Sequence, residues 1–167
     1  MTADEIIALL DLRPHPAEGG YFRETYRSGG ESEPGAPFSG PRSWSTAIYY
    51  LLTPETFSSL HRLPGDEVFH FYLGDPVEML ELLPDGRERL TVLGPDVPSM
   101  TLQHVVPGGT WQGSRLVAGG RWALLGTTMA PGFAYEDYET GTPALLERFT
   151  HHRALAHALL PPAVGGS

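Results

Sequence analysis

Short segments rich in β-branched, aromatic and alternating apolar residues fill most of the chain, and Gly- and Pro-containing turns separate them. The segments lie at residues 21–27, 43–52, 57–63, 67–74, 76–83, 87–93, 100–106, 110–117 and 121–129. Regular turns between many short strands are typical of sandwiches and barrels. The pattern therefore predicts an all-β fold.

Helical spacing of apolar residues occurs only near the two ends of the chain. Residues 2–12 carry an apolar stripe, and Thr2 and Glu5 have the spacing of a capping box. This helix is expected to end near Arg13, because the residue before a proline disfavours helical dihedrals. Residues 143–160 predict a second helix, and residues 161–167 are expected to form a disordered tail.

Residues 28–42 are rich in Gly, Ser and Pro and show little periodicity. We interpret them as a mobile surface loop that can act as a lid. No internal repeat and no long linker divides the chain, so residues 1–160 are expected to form a single domain.

The charge balance limits the classes of partner. The 167 residues carry 20 acidic and 11 basic side chains, a net charge of -9, and every basic residue is Arg. A nucleic-acid backbone would be repelled, so nucleic-acid binding is not expected. No apolar run approaches the length of a membrane span, and the acidic N-terminus does not resemble a signal peptide. We therefore expect no membrane partner and a cytoplasmic location.

Missing residue types exclude several chemistries. The chain contains no Cys, which rules out disulfides, thiolate catalysis and zinc–thiolate sites. It also contains no Lys, which rules out Schiff-base chemistry and the lysine of phosphate-binding loops.

The richest stretch for chemistry is residues 57–74, FSSLHRLPGDEVFHFYLG, which predicts two strands joined by a Pro-Gly turn. If His61 and Glu67 both point inward, they lie close together on adjacent antiparallel strands. A carboxylate near an imidazole orients it and raises its basicity, so both are candidate catalytic residues. Strict alternation places His70 on the opposite face unless a bulge redirects it. With such a bulge, His70 is a candidate ligand-binding residue, as is Gln112.

Other polar and aromatic residues are candidates for ligand binding. Arg23 is the leading candidate for an anionic group, with a surface ion pair to Glu18 or Glu24 as the alternative. Candidate proton donors are Tyr21, Tyr49 and Tyr50, of which only one of the last two can face inward. Candidate walls and rim are Phe69, Trp111 and Glu136. Because neighbours on a strand point in opposite directions, Glu136 and Asp137 are not expected to work as a pair.

The stretch around His61 resembles the first motif of the cupin superfamily, in which His, any residue, and a second His precede Glu and Gly at fixed spacing. His61, Glu67 and Gly74 match this motif, whereas Leu63 occupies the position of the second His.

The segment VVPGGTWQ resembles the second cupin motif. Pro107 and Gly109 match, while Gln112 occupies the position of the His. Thr101 and Leu116 depart from the Gly and the Asn that begin and end the motif.

A closer resemblance covers residues 15–139. Five blocks occur in order: HPAEGGYFRETYR, STAIYYLL, HRLPGDEVFHFYLGDP, VVPGGTWQ and APGFAYEDYE. Together they resemble the DUF985 (Cupin_5) subfamily of cupins, which has no established reaction. The resemblance implies a double-stranded β-helix, or jelly-roll barrel, with flanking helices, and usually a homodimer.

The resemblance also indicates which cofactors to consider, namely a bound metal ion or none. Metal-dependent cupins hold their metal with two or three His and a Glu, but here only His61 and Glu67 remain, with Gln112 as a weak third ligand. The sequence therefore favours a site without a cofactor, with weak binding of a divalent metal as the alternative. Sugar-nucleotide epimerases of the superfamily use no metal and work with a His base and a Tyr acid.

Three functions are consistent with the sequence. The first is a pocket for a small polar, anionic or sugar-like ligand, with metal-independent epimerisation or isomerisation by His61, oriented by Glu67. The second is a small-molecule binding module without chemistry. The third is a metal-dependent oxygenase or lyase that uses His61, Glu67 and Gln112.

Overall fold

The structure, a computed structural model, describes residues 1–162 of the chain. The helices are α1 (Ala3–Leu9) and α2 (Arg153–Ala158), with 3-10 turns at Tyr135–Asp137 and Pro143–Arg148. The strands are β1 (Arg13–Pro14), β2 (Tyr21–Arg27), β3 (Glu31–Ser32), β4 (Arg42–Ser43), β5 (Thr46–Leu52), β6 (Ser58–Arg62), β7 (Glu67–Gly74), β8 (Val77–Leu82), β9 (Glu88–Leu93), β10 (Gln103–Val106), β11 (Trp111–Leu116), β12 (Ala123–Met129) and β13 (Glu139–Thr140).

Two antiparallel sheets form the body of the fold. The first has six strands in the order β1-β2-β5-β12-β7-β10, and the second has five in the order β13-β6-β11-β8-β9. Strands β3 and β4 form a separate two-stranded ribbon. The prediction of an all-β jelly-roll barrel with short flanking helices is confirmed.

The main core lies between the two sheets. Tyr50 and Phe69 of the six-stranded sheet pack with Val77, Met79 and Leu116 of the five-stranded sheet. Burial of apolar area from both sheets supplies the main driving force for closing the barrel.

Two smaller apolar clusters attach the ends of the chain to the outer faces of the sheets. Ile6 of α1 packs with Leu51 and Leu124 of the six-stranded sheet. Leu145 and Phe149 of the C-terminal segment pack with Leu60, Leu80 and Leu82 of the five-stranded sheet. The terminal helices therefore cover the barrel from outside and leave its interior free.

The first helix begins with the predicted capping box. The Thr2 side chain accepts the amide hydrogen of Glu5 at 3.2 Å, and the Glu5 carboxylate accepts that of Thr2 at 2.8 Å. The helix ends at Leu9, earlier than predicted, and Asp11 adopts a left-handed backbone with φ of 49°.

The prediction of one continuous C-terminal helix is wrong. A 3-10 turn and α2 replace it, with a break at residues 149–152. The Glu88 carboxylate at the start of β9 accepts the backbone amide hydrogens of Thr150, His151 and His152. Those amides are therefore unavailable for helical hydrogen bonds, so the helix is interrupted there.

The predicted pairing of the two strands around His61 and Glu67 is also wrong. Strand β6 pairs with β11 and β13, whereas β7 pairs with β10 and β12. The turn at Pro64-Gly65 therefore carries the chain from one sheet to the other. Alternation gives the face on which a side chain lies but not the partner of its strand, which long-range packing decides.

Residues 28–42 contain β3 and the first residue of β4, so this segment is partly ordered into a ribbon. Its role as a lid stays a prediction. No helix within residues 1–162 is long and apolar enough to cross a membrane. The predicted disordered tail, apart from Pro161 and Pro162, lies outside the described residues.

Candidate functional site

A narrow pocket of about 60 Å³ lies on the inner face of the six-stranded sheet, where β2, β5, β7 and β12 line it. Exposed Glu24, Arg27 and Tyr135 mark the side on which this cavity opens to solvent. Its wall includes the predicted residue Glu67 together with His15, Glu18, Phe22, Leu63 and Thr127. The carboxylates of Glu18 and Glu67 and one imidazole therefore line the same small space, together with the ion pair of Glu24 and Arg27.

Glu67 is the first residue of β7 and points inward with Phe69. Its Oε2 accepts a hydrogen bond of 2.7 Å from Nε2 of Gln112. Burial and the negative charge of Glu18 raise its pKa from 4.5 to about 6, although His61 and Gln112 act in the opposite direction. Glu67 can therefore both accept and release a proton near neutral pH.

His61 lies on β6 of the opposite sheet and is only 1% exposed. Its Nδ1 lies 2.7 Å from the Ser59 carbonyl oxygen, which can only accept, so Nδ1 carries the ring hydrogen. The Tyr138 ring stacks on the imidazole with centroids 5.0 Å apart and an angle of 12°. His61 influences the charge of Glu67 but does not form part of the cavity wall.

Gln112 lies directly beside His61, because β11 and β6 pair these two residues in register. Both are buried and both face the interior. The structure thus brings His61, Glu67 and Gln112 together, as the motifs suggested, but joins them across the barrel rather than along one hairpin.

Sequence reasoning did not identify Glu18 as a site residue. It lies on the loop before β2, and its carboxylate accepts a hydrogen bond of 2.5 Å from the Ser58 hydroxyl. Its backbone carbonyl oxygen accepts the amide and hydroxyl hydrogens of Ser59, both at 2.9 Å. These contacts to β6 fix the carboxylate at the cavity.

His15 was also missed. Its Nδ1 accepts the backbone amide hydrogens of Ala17 at 3.3 Å and of Glu18 at 2.9 Å. Burial lowers the pKa of this imidazole, partly offset by the charge of Glu18, with His61 acting in the same direction as burial.

The glycine pair after Glu18 was the available clue to this loop. Gly19 has φ of 97°, and a Cβ at this position would lie 2.3 Å from the Phe57 carbonyl oxygen. Only glycine fits such a close approach between the loop and the segment leading into β6. That approach places His15 and Glu18 next to the interior.

The predicted anion-binding residue Arg23 does not face the cavity. It lies on the outer face of the six-stranded sheet, with its guanidinium 5.7 Å from the centre of the Tyr49 ring. A bulge between Glu24 and Tyr26 changes the alternation beyond Glu24, and the exposed Arg27 lines the open side of the cavity. Arg27 forms two hydrogen bonds of 2.8 Å with Glu24 and is thereby neutralised.

Two predicted tyrosines and one predicted wall residue face outward as well. Tyr21 and Tyr49 pack in the outer cluster with α1, whereas Tyr50 faces inward and donates to the Gly19 carbonyl oxygen at 2.8 Å.

Trp111 packs among the C-terminal residues on the outer face, and the Arg62 guanidinium lies 4.7 Å from the centre of its indole ring. Phe69 lies in the main core, so only this predicted aromatic wall residue is interior.

His70 lies on the outer face of β7, as strict alternation requires. Its Nε2 is 3.0 Å from the Thr128 hydroxyl, and its Nδ1 is 3.1 Å from Nε2 of Gln103. Its ring stacks on Tyr72, away from the cavity.

A wider cleft of about 460 Å³ lies outside the interior cavity, and Leu63 lines both. Glu136 lines this outer cleft and is not part of the wall of the interior cavity, whose rim the sequence analysis predicted for it. Contrary to the expectation for neighbours on a strand, Glu136 and Asp137 lie on a 3-10 turn and both contact Arg42. The Arg42 guanidinium lies 2.6 Å from Asp137 and 3.4 Å from Glu136.

The residues present do not fit a tightly held transition metal. The Gln112 amide directs its nitrogen, not its oxygen, at Glu67, and apolar Leu63 lines the cavity where a second His would be required. Among residues 1–162, no three His, Cys, Asp or Glu side chains are grouped to hold a metal ion.

Comparisons with known proteins agree on the family. The family model described as "Cupin superfamily (DUF985)" matches residues 4–141. The uncharacterized protein YML079W of Saccharomyces cerevisiae is 32% identical over 133 residues, which cover 72% of this chain and 66% of the yeast protein, so the match spans slightly less than two thirds of that relative.

Solved structures extend the agreement to the fold. A hypothetical protein from Leishmania major is 36% identical with a TM-score of 0.85, covering 96% of this chain and 99% of that one. Protein SO0799 from Shewanella oneidensis is 32% identical with a TM-score of 0.85, covering 97% and 99%.

A more distant likeness concerns the fold alone. Oxalate decarboxylase from Bacillus subtilis is 15% identical with a TM-score of 0.56, covering 89% of this chain and 34% of that one. Since the family model covers most of the chain, the resemblance seen in the sequence is confirmed, and the chain belongs to the DUF985 family of the cupin superfamily.

Proposed function

We propose that this cupin binds a small, neutral, polar molecule in its interior cavity and moves a proton at one of its carbon atoms, as a metal-independent epimerase or isomerase. One observation carries the proposal: buried Glu67 lines the same cavity as Glu18, and the pKa of Glu67 is raised to about 6. A carboxyl group with a pKa close to neutral pH can both take up and return a proton.

The size of the cavity supports a small ligand. A volume of about 60 Å³ holds roughly four to six water molecules. A sugar nucleotide is far larger, since sites for drug-sized ligands measure about 300–1,000 Å³. The outer cleft supplies an approach route, and Leu63 separates it from the interior.

The charge of the wall supports a neutral ligand. Glu18, Glu24 and Glu67 face the interior, and Arg27 is the one guanidinium in the described wall. Because Glu24 already pairs with Arg27, an anion would meet two further carboxylates without a free cation. We therefore favour the neutral, sugar-like ligand over the anionic one.

The proposed roles follow the positions of the side chains. Glu67 exchanges the proton with the ligand carbon, in place of His61, to which the sequence analysis gave that role. His61 and Gln112 are positioning residues that set the orientation and charge of Glu67. Tyr138 stacks on His61 and has a buried hydroxyl without a hydrogen-bond partner among residues 1–162, so it helps to fix the imidazole but does not line the cavity.

Deuterium incorporation tests this proposal. We expect the purified protein in D₂O to exchange carbon-bound hydrogen in at least one member of a panel of small neutral sugars, polyols and lactones, followed by ¹H NMR. Glu67→Gln should reduce the rate at least about 100-fold. Glu78→Gln is the matched control, because Glu78 lies on the outer face of β8 in a 2.6 Å ion pair with Arg115.

The same experiment separates the alternatives. Binding of a panel member, measured by calorimetry, without any carbon exchange would refute the enzyme and favour a binding module. Exchange that is abolished by EDTA and restored by one metal would refute the metal-independent reaction and favour the metal-dependent alternative.

The homodimer and the cytoplasmic location stay predictions. Strand β10 lies at an edge of the six-stranded sheet and exposes Val105, and the preceding Leu102 is exposed as well. Such an edge with exposed apolar residues supports pairing with a second copy. Light scattering should give twice 18.2 kDa, and a monomeric mass would refute the dimer.

A further inference from the structure

We propose that His15 is a catalytic hydrogen-bond donor and that the ligand is a small α-hydroxy carbonyl compound whose carbonyl oxygen contacts the Nε2–H of His15. This inference rests on the proposed proton transfer and adds to it the substrate class and the group that activates the substrate.

The backbone around His15 fixes the position of its ring hydrogen. Nδ1 accepts the amide hydrogens of Ala17 and Glu18, so it cannot itself carry a hydrogen. The single hydrogen of the neutral ring therefore lies on Nε2. A second proton on the ring would break both of these contacts. This cost and the burial of His15 together keep the ring neutral.

The Nε2–H of His15 is available to a ligand. The ring lines the interior cavity, and the nearest carboxylate oxygen to Nε2, Oε2 of Glu18, lies 3.9 Å away. This separation is too long for a hydrogen bond. A ligand oxygen in the cavity would give this donor the partner that the protein does not provide.

His15 and His61 present opposite hydrogen-bonding patterns. His15 exposes an N–H and keeps its lone pair on the backbone, whereas His61 donates through Nδ1 to the Ser59 carbonyl and leaves its Nε2 without a hydrogen in the neutral ring. The donor lines the cavity with Glu18 and Glu67, and the acceptor does not. The cavity wall therefore combines one neutral donor with two carboxylates.

This combination matches an α-hydroxy carbonyl compound. A hydrogen on carbon becomes acidic enough for a carboxylate when the neighbouring carbonyl is polarised, and a neutral imidazole N–H polarises a carbonyl well. The free Oε2 of Glu18 can accept a hydroxyl hydrogen from the adjacent carbon. A compound of about four to six heavy atoms fits the cavity volume.

The reaction balances without any further reactant. The ionised Glu67 takes the hydrogen from the hydroxyl-bearing carbon as a proton, and the electron pair of that bond moves toward the carbonyl oxygen, where the His15 N–H stabilises the enediolate. Return of a proton to the same face of that carbon restores the substrate with solvent hydrogen in place of the original one, whereas delivery to the opposite face gives racemisation or epimerisation. Return to the former carbonyl carbon, with transfer of the hydroxyl proton, gives isomerisation between aldose and ketose.

Two substitutions separate this role from support of the loop. His15→Asn places an amide oxygen where Nδ1 accepts from the backbone but lacks the distal N–H. His15→Gln keeps a distal N–H near Nε2 but loses the backbone contacts. The probes are D-glyceraldehyde and dihydroxyacetone, with loss of carbon-bound hydrogen in D₂O followed by ¹H NMR against a buffer blank.

We expect His15→Asn to keep the melting temperature within about 2 °C and to lose roughly 100-fold in exchange rate. We expect His15→Gln to melt lower but to keep a larger share of the rate. The reverse order, with His15→Asn active and His15→Gln inactive, would show a purely structural role and overturn the proposal for His15.

A measurement without turnover completes the test. Two-dimensional ¹H–¹⁵N spectra of the wild-type imidazoles should show hydrogen on Nε2 of His15 and on Nδ1 of His61 at pH 7. Hydrogen on Nδ1 of His15 would overturn the inference. Wild-type exchange of other panel compounds but not of these two probes would overturn the substrate class and leave the proposed function intact.

Discussion

The side-chain amide of Gln112 donates a hydrogen bond of 2.7 Å to Oε2 of Glu67, linking the five-stranded sheet to the six-stranded sheet inside the barrel. In related cupin motifs a His occupies the position of Gln112. Here an uncharged donor contacts the carboxylate, and it favours the ionised form of Glu67 without adding a charge.

Removing this donor should make Glu67 a weaker acid. We expect Gln112→Met to raise the pKa of Glu67 further above its value of about 6, because burial and the charge of Glu18 would then be opposed by fewer contacts. The titration can be followed by ¹³C NMR of labelled Glu carboxyl groups. Gln103→Met on the outer face is the control, and an unchanged Glu67 titration in Gln112→Met would contradict the prediction.

The stability of the fold should depend on pH through Glu67. Its pKa is about 6 in the folded state against 4.5 ordinarily, so the native state binds the proton more tightly. The free energy of unfolding should therefore fall by ~1.3 kcal/mol as the pH rises from 4.5 to 6, and by ~2 kcal/mol in total once the pH is well above 6. Urea unfolding of wild type and Glu67→Gln at both pH values measures this. An equal change in the free energy of unfolding between the two pH values in both proteins would contradict this prediction.

The interior should accept a metal once its missing ligands are supplied. Gln112 lies in register with His61. Leu63 follows His61 by two residues along the chain, and its side chain lines the cavity. We expect Leu63→His/Gln112→His to bind about one Co²⁺ per chain, seen in its visible spectrum, since imidazoles suit such metals. Gln112→His alone is the control. One equivalent of metal held tightly by the wild type would refute the conclusion that its residues do not fit a transition metal.

A buried ionic cluster should contribute strongly to stability. Glu81 is fully buried and contacts Arg89 at 2.6 Å and His104 at 2.8 Å. These contacts join β8 and β9 to β10 of the other sheet. We expect Glu81→Ala to reduce the free energy of unfolding by about 2 kcal/mol, because Arg89 and His104 lose the carboxylate that both contact.

The exposed hairpin pair of Asp85 and Arg87 provides the comparison for Glu81. Arg87→Ala should change the free energy of unfolding by less than about 1 kcal/mol, since both charges remain solvated. Similar losses for the two variants in urea unfolding would argue against a special role of the buried cluster.

Local rules predicted much of the fold because they act over a few residues. Thr2 and Glu5 form their capping box, and the turn at Pro84-Asp85-Gly86 joins β8 and β9 with Gly86 at φ of 87°. The C-terminal helix was predicted wrongly because a carboxylate 62 residues away in sequence, that of Glu88, binds the amide of Thr150.

The candidate site was predictable where it follows motifs and unpredictable where it follows contacts between distant strands. Spacing identified His61, Glu67 and Gln112, which the structure brings together. Arg23 was misplaced because it shares a face of β2 with Tyr21, and that face is the outer one, on which α1 packs. Alternation separates the two faces of a strand but does not tell which of them is interior.

The sequence by itself determined the all-β class, the family and the pair His61 and Glu67, because strand periodicity, turn residues and motif spacing are local properties of the chain. Only the tertiary structure decided which strands pair and which side chains share the cavity. Those outcomes depend on packing between segments far apart in sequence, as when the loop at Gly19 closes on Phe57 and brings His15 and Glu18 beside Glu67.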